Sequence, residues 1–214
     1  MEETVKPEPA EIQFDAAAEI ELGLRLESGD RSVVVRFPTD AELAERQRRR
    51  PVLIRNQGRG VSEQVPAEPG EPDLALFDKI ALNGRPSVTK EEAFQIAEIL
   101  TSTTVLGVEV DGDRALVTMH VMTGLTVRHS LDVPTAGRVV LFRRGAFKML
   151  SQPYGVQQIR VNAEAGARLW DDCHGSSQDY AGGAIPAIHK DAAVRAVVEF
   201  IDHHLGPRKD DASF

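Results

Sequence analysis

The chain has 214 residues, a net charge of −8 and one cysteine, Cys173, with 42% apolar and 27% charged residues. A single cysteine excludes an internal disulfide, and no apolar run reaches the roughly 18 residues that span a bilayer. An acidic chain repels nucleic acid at long range, so any such partner must meet a local basic patch. The length fits one large domain or two small ones, and aromatics at 5% imply a core of Val, Leu, Ile and Ala.

Residues 1–13 are polar and acidic, with Pro7 and Pro9, and are expected to be a disordered tail without a signal peptide. Ile20, Leu22, Leu24 and Leu26 then alternate with polar residues, and Val33, Val35 and Phe37 continue the pattern after Glu27-Ser28-Gly29-Asp30. Period 2 on both sides of a turn predicts a hairpin. Pro38 ends it, and Thr39 with Glu42 forms a capping box for a helix that runs to Arg50 and stops at Pro51. These elements make a hairpin-plus-helix lobe over 14–55. Residues 56–73 are rich in Gly and Pro and are expected to be a linker.

The main α+β domain is expected over 74–205. Leu74, Phe77, Ile80 and Ala81 suggest a short helix, and Thr89 with Glu92 caps a longer one with Ala93, Ile96, Ala97 and Leu100 on its apolar face. Strands over 106–110, 115–122 and 125–133 predict an antiparallel meander, with His129 on an apolar face as a core histidine. Val139, Phe142, Ala146 and Met149 form one helical stripe. A short strand (156–161), a short helix (163–172), a Gly-rich loop (175–186) and a helix with Val194, Val197, Val198, Ile201 and Leu205 on one face complete the domain. Residues 206–214 are expected to be a second disordered tail. Pro38-Thr39 and Pro134-Thr135 occupy equivalent places after two hairpins. They mark either two duplicated hairpin-plus-helix lobes or a common strand-to-helix joint.

The chemistry-bearing residues are few. Arg46, Arg48, Arg49, Arg50, Arg55 and Arg59 follow one another without an intervening acid. They are the candidate partner-binding patch, for an acidic protein surface or for phosphates, or else a solvated helix end that suits the dipole. No aromatic residue lies among them to stack on a base. Asp171-Asp172-Cys173-His174 is the one cluster with catalytic residue types, but adjacent residues diverge and no second cysteine completes a zinc set. No phosphate-binding loop, nucleophile elbow or zinc-protease motif occurs. The expectation is a non-enzymatic protein with no metal and no cofactor.

Three blocks carry a resemblance. The first is Val35-Arg36-Phe37-Pro38-Thr39-Asp40 with the arginine-tipped helix, Val52-Leu53-Ile54-Arg55 and Gly58-Arg59-Gly60. The second is Phe142-Arg143-Arg144 with Pro153-Tyr154 and Gln158-Ile159-Arg160-Val161. The third is Tyr180-Ala181-Gly182, Ile185-Pro186 and His189-Lys190 with Val194-Arg195. Over residues 18–205 this order resembles uncharacterised proteins of tailed bacteriophages and prophages. The resemblance implies a structural or morphogenetic role, with the tail favoured, and assigns no functional residue. It implies other phage assembly proteins as partners, a cytoplasmic or virion location, no membrane, and scope for oligomers. The alternative is a nucleic-acid-associated accessory protein that uses Arg46 to Arg59.

Overall fold

The computed structural model describes residues 13–24, 29–50, 52–58, 61–65, 69–82, 87–122, 124–151 and 156–205, with the backbone alone described along 52–65 and 147–161. The two terminal stretches expected to be disordered lie outside the described residues, apart from Gln13.

The period-2 segment forms β1 (Glu19–Leu24), antiparallel to β2 (Arg31–Arg36), with Leu22 opposite Val33 and Ile20 opposite Val35. Leu22, Leu24, Val33, Val35 and Phe37 are buried, as alternation demands. Helix α1 (Asp40–Arg49) starts on the expected capping box: the Glu42 amide donates to Thr39 Oγ1 at 3.3 Å, and the Thr39 amide donates to Glu42 Oε2 at 2.9 Å.

The stretch expected to be a linker carries strands instead. β3 (Val52–Gly58) and β4 (Val61–Val65) form a hairpin, and β3 also pairs with β9 (Val156–Val161) far along the chain. The residues of β3 that pair with β9 are 52–55, ahead of the expected linker; within 56–65 the pairing is the local hairpin, with Asn56 opposite Ser62 and Gly58 opposite Val61, which no clean apolar alternation announces. The same sheet corrects a second expectation. Helix α4 (Ala136–Ala146) stops short of Met149, and β8 (Phe147–Ser151) pairs with β9, giving the order β4-β3-β9-β8. A helical stripe fixes a face and leaves the end open; Gly145 weakens the helix just where the strand takes over.

Helices α2 (Glu71–Ile80) and α3 (Lys90–Thr101) follow, the second with the expected Thr89–Glu92 box. The meander is β5 (Thr103–Asp111), β6 (Arg114–Val121) and β7 (Leu125–Asp132), in that order. α5 (Ala163–Asp172) and α6 (Ala187–Phe200) close the chain, and a wider π-type turn over Ile201–Leu205 replaces the last turn of the expected helix. The two helices meet at Gly166, where a Cβ would lie 2.5 Å from Asp191 Cα, so only glycine permits this approach.

The fold is α+β, with antiparallel sheets and packed helices, as expected. Both Pro-Thr pairs stand at strand-to-helix joints, before α1 and before α4. One core cluster runs from Phe14 and the β1–β2 hairpin through α2, α3 and β6 to Trp170 and Val198. The hairpin lobe is stitched to later elements by the Leu82 amide donating to the Val34 carbonyl at 2.9 Å and by Arg31 on Glu92 at 2.6 Å.

Candidate functional site

The arginine run divides into two pairs. Arg46 Nε donates to Asp73 Oδ1 at 2.8 Å and its Nη2 to Glu98 Oε1 at 2.8 Å. Arg50 Nη1 reaches the same Asp73 oxygen at 3.1 Å, and its guanidinium lies over the Phe94 ring, 4.1 Å from the centroid. Asp73 is fully buried, and its second oxygen accepts the Gly70 amide at 2.9 Å. These two arginines therefore tie α1 to α2 and α3. Arg48 and Arg49 point outward and share Glu45, the second at 2.7 Å. Arg55 lies on β3, where only backbone is described, and Arg59 lies outside the described residues. Four of the six thus have internal carboxylate partners, and the acids come from the chain's own α1, α2 and α3.

The Asp171–His174 cluster disperses. Asp171 accepts from Lys190 Nζ at 2.9 Å, the Asp172 carbonyl accepts from Arg138 at 2.8 Å, and Cys173 is fully buried with its thiol pKa pushed up by burial. His174 holds a left-handed backbone conformation (φ 50°) and places Nδ1 2.8 Å from Asp132 Oδ2. Asp132 also accepts from Arg114, and these two partners hold its carboxyl below the usual range. The Asp132–His174 contact is an exposed hydrogen bond at the surface that orients the imidazole. Among the described residues no group of three or more His, Cys, Asp or Glu side chains is placed to hold a metal ion. No described helix is long and apolar enough to cross a membrane.

A second cluster has no local sequence signal. Tyr180, in the Gly-rich loop, sets its hydroxyl 2.9 Å from His189 Nδ1 on α6 and 3.5 Å from His129 Nε2 on β7. Both histidines are fully buried. Phe14 and Phe37 pack edge-on against His189, and Trp170 packs edge-on against His129. The hydroxyl has one proton to give, so one imidazole donates to it and the other accepts. Burial pushes the His129 pKa down to about 4 and that of His189 to about 3, and raises that of Tyr180. His129 Nδ1 and His189 Nε2 have no hydrogen-bond partner. Strand alternation places His129 in the core, as expected, and the other members of the cluster come from a loop and a helix.

The surface of the meander is asymmetric. Along β7 the outer edge is covered: Ser130 and Ser176 exchange amide–carbonyl bonds at 2.9 and 2.8 Å, the Asp132 amide donates to the Cys173 carbonyl at 2.7 Å, and the Arg128 amide donates to Asp179 Oδ2 at 2.6 Å. Along β5 the outer edge has no strand partner and no backbone hydrogen bond to a loop among the described residues. The β5–β6 register shifts between Val105 and Gly107, leaving Leu106 without a partner residue on β6 and 52% exposed. Beside it a mainly apolar groove of about 410 Å³ lies between β5 and the end of α6, lined by Val105, Val108, Ala192, Ala196 and Phe200 together with Arg195, Glu199, His203 and His204. A second groove of about 440 Å³, between α1, α5 and α6, has Arg48 and Glu164 on its walls. Comparison of the chain with protein-family models, curated proteins and solved structures finds no match.

Proposed function

We propose that this chain is a non-enzymatic assembly protein that acts through protein–protein contacts in a tailed phage or prophage, with the tail as the favoured setting. The observation that carries the protein-contact reading is the outer edge of β5, which is unpaired among the described residues. Native sheets usually cover or charge their edges, because a row of unpaired amides and carbonyls recruits another strand. Here one edge of the meander is covered by three backbone–backbone bonds and the Arg128 amide on the Asp179 carboxylate, whereas the other carries acids only towards its end, at Glu109 and Asp111, and presents Val105 and Leu106 beside a mainly apolar groove. Strand addition to such an edge gains affinity from main-chain hydrogen bonds and specificity from side-chain pockets. The dispersal of Asp171 to His174 into separate contacts fits a role without catalysis. The phage setting rests on the sequence resemblance, and it places the chain in the host cytoplasm or in the particle.

Nucleic-acid association, the alternative, is left with Arg48 and Arg49 among the described side chains, both already on Glu45.

The test is mass spectrometry of purified particles and their assembly intermediates, paired with Leu106→Arg in the producing genome. The chain is expected in one of these fractions, and the variant is expected to lower the yield of infective particles at least about tenfold while staying folded. A chain absent from every fraction, or a variant with normal yield, overturns the proposal.

A further inference from the structure

We propose that the occupant of the open β5 edge is β5 of a second copy of this chain, paired antiparallel about a two-fold axis at Leu106, so that two meanders join into one sheet. This names the partner of the edge and rests on the protein-contact reading above.

The argument begins with the charge along the strand. Glu109 and Asp111 occupy the C-terminal half of β5, whereas Thr103 and Thr104 occupy the other half and carry no charge. In an antiparallel pair each acidic half lies opposite the neutral half of its mate. With Leu106 opposite Leu106, Glu109 faces Thr103, and no like charges are directly opposed. A parallel arrangement would set Glu109 beside Glu109, which destabilises a ladder. The strand can thus meet its own two-fold copy without opposing like charges, as an isologous dimer requires.

The side chains favour the same register. Leu106 is the most exposed large apolar residue of the strand, and it has no partner residue on β6. Placing it on the axis buries both copies of it against each other. Val105 and Val108 flank it and line the groove against α6. A strand added at this edge extends the sheet beside that groove and shields the apolar wall that α6 leaves uncovered. The bulge at Leu106 limits how far a straight ladder can run, so the pairing is short and centred on Thr103 to Glu109. Any long-range term opposes association, because both chains carry −8. Dimerisation therefore has to come from the strand contact itself.

The experiment is sedimentation of the full chain over a range of concentrations at about 0.3 M salt, which screens the mutual repulsion. Wild type is expected to pass from monomer to dimer, and Leu106→Arg is expected to raise the dissociation constant at least tenfold with an unchanged melting temperature. Oxidative cross-linking fixes the register. Leu106→Cys sits on the axis and is expected to form a disulfide-linked dimer. Glu109→Cys, whose mate lies about 20 Å away at 3.3 Å per residue, is expected to form none. Native Cys173 is buried and stays silent. A chain that remains monomeric at every concentration overturns the proposal, as does a dimer indifferent to Leu106→Arg or one that Glu109→Cys cross-links as well. If the chain is monomeric while Leu106→Arg still cuts particle yield, the edge binds a different protein and the assembly reading stands without this inference.

Discussion

Tyr180 holds two imidazoles that water cannot reach, and the consequence is a pH dependence with a definite sign. An unfolded histidine titrates near 6.5, whereas folded His129 and His189 titrate at about 4 and about 3. Below about pH 6.5 the unfolded chain takes up protons that the folded chain refuses, so stability falls with pH. It is complete above that value and is lost progressively towards the folded values. At about pH 5 each histidine removes about 2 kcal/mol, or about 4 kcal/mol together. Asp179 faces His129 and partly offsets the loss, whereas each imidazole opposes charging of the other. Glu42, held at about 2 by its bonds to Arg36, contributes stability that is lost only as pH falls from about 4.5 towards 2, which lies below the interval from pH 7 to pH 5. Urea unfolding of wild type and His189→Phe at pH 7 and pH 5 checks this. The variant should lose about half as much stability over the interval as wild type. Equal losses would show that the imidazoles are not the acid-sensitive groups.

Among the elements, α1 illustrates why a run of arginines misleads. The charge sequence suggests an outward patch, yet Arg46 and Arg50 converge on the buried carboxylate of Asp73, which lies on α2. Removing one partner of a buried ion pair leaves uncompensated charge and costs about 3–5 kcal/mol. Exposed pairs contribute at most about 1 kcal/mol. Asp73→Ala should therefore destabilise the protein by about 3–5 kcal/mol, while Arg48→Ala changes it by less than about 1 kcal/mol, as read from urea midpoints. Comparable losses for the two variants would mean that Asp73 does not organise the three helices. The same contrast explains what was legible beforehand. The starts of α1 and α3 depend on partners three residues apart, Thr39 with Glu42 and Thr89 with Glu92, and both were readable. The meander was readable because each strand pairs with its neighbour in sequence. β3 was not, because one of its partners is β9, about a hundred residues away, and β8 was not, although β9 is its neighbour in sequence, because Met149 continues the helical stripe of Val139, Phe142 and Ala146. The Tyr180 cluster was half readable. Alternation placed His129 inside, but Tyr180 comes 51 residues later from a Gly-rich loop with no apolar pattern to place it. The open edge was hidden for the converse reason: which edge of a sheet stays uncovered is decided by where the other loops settle.

For the whole molecule, the question is whether the N-terminal hairpin is a separate lobe. Phe14 argues that it is not. Its amide donates to the Asp179 carbonyl at 2.8 Å, its carbonyl accepts the Ala181 amide at 2.9 Å, and its ring packs on Phe37, Tyr180 and His189. From there the contacts continue through Tyr180 and His129 to Trp170. The start of the chain is thus strapped to a loop near its end, and the hairpin shares that aromatic core through Phe37. A core connected in this way should unfold in one step. Phe14→Ala should cost about 3–5 kcal/mol, the usual loss for a buried phenylalanine. It should also shift the transition reported by the fluorescence of Trp170, the sole tryptophan, by the same amount as the transition seen by far-UV circular dichroism. The first observable belongs to the C-terminal half and the second averages over the chain, so their coincidence measures the coupling between hairpin and remainder. If the dichroism midpoint moved and the fluorescence midpoint did not, the hairpin would be an independent unit, and the strap at Phe14 would be a contact between two folded bodies instead of a part of one core.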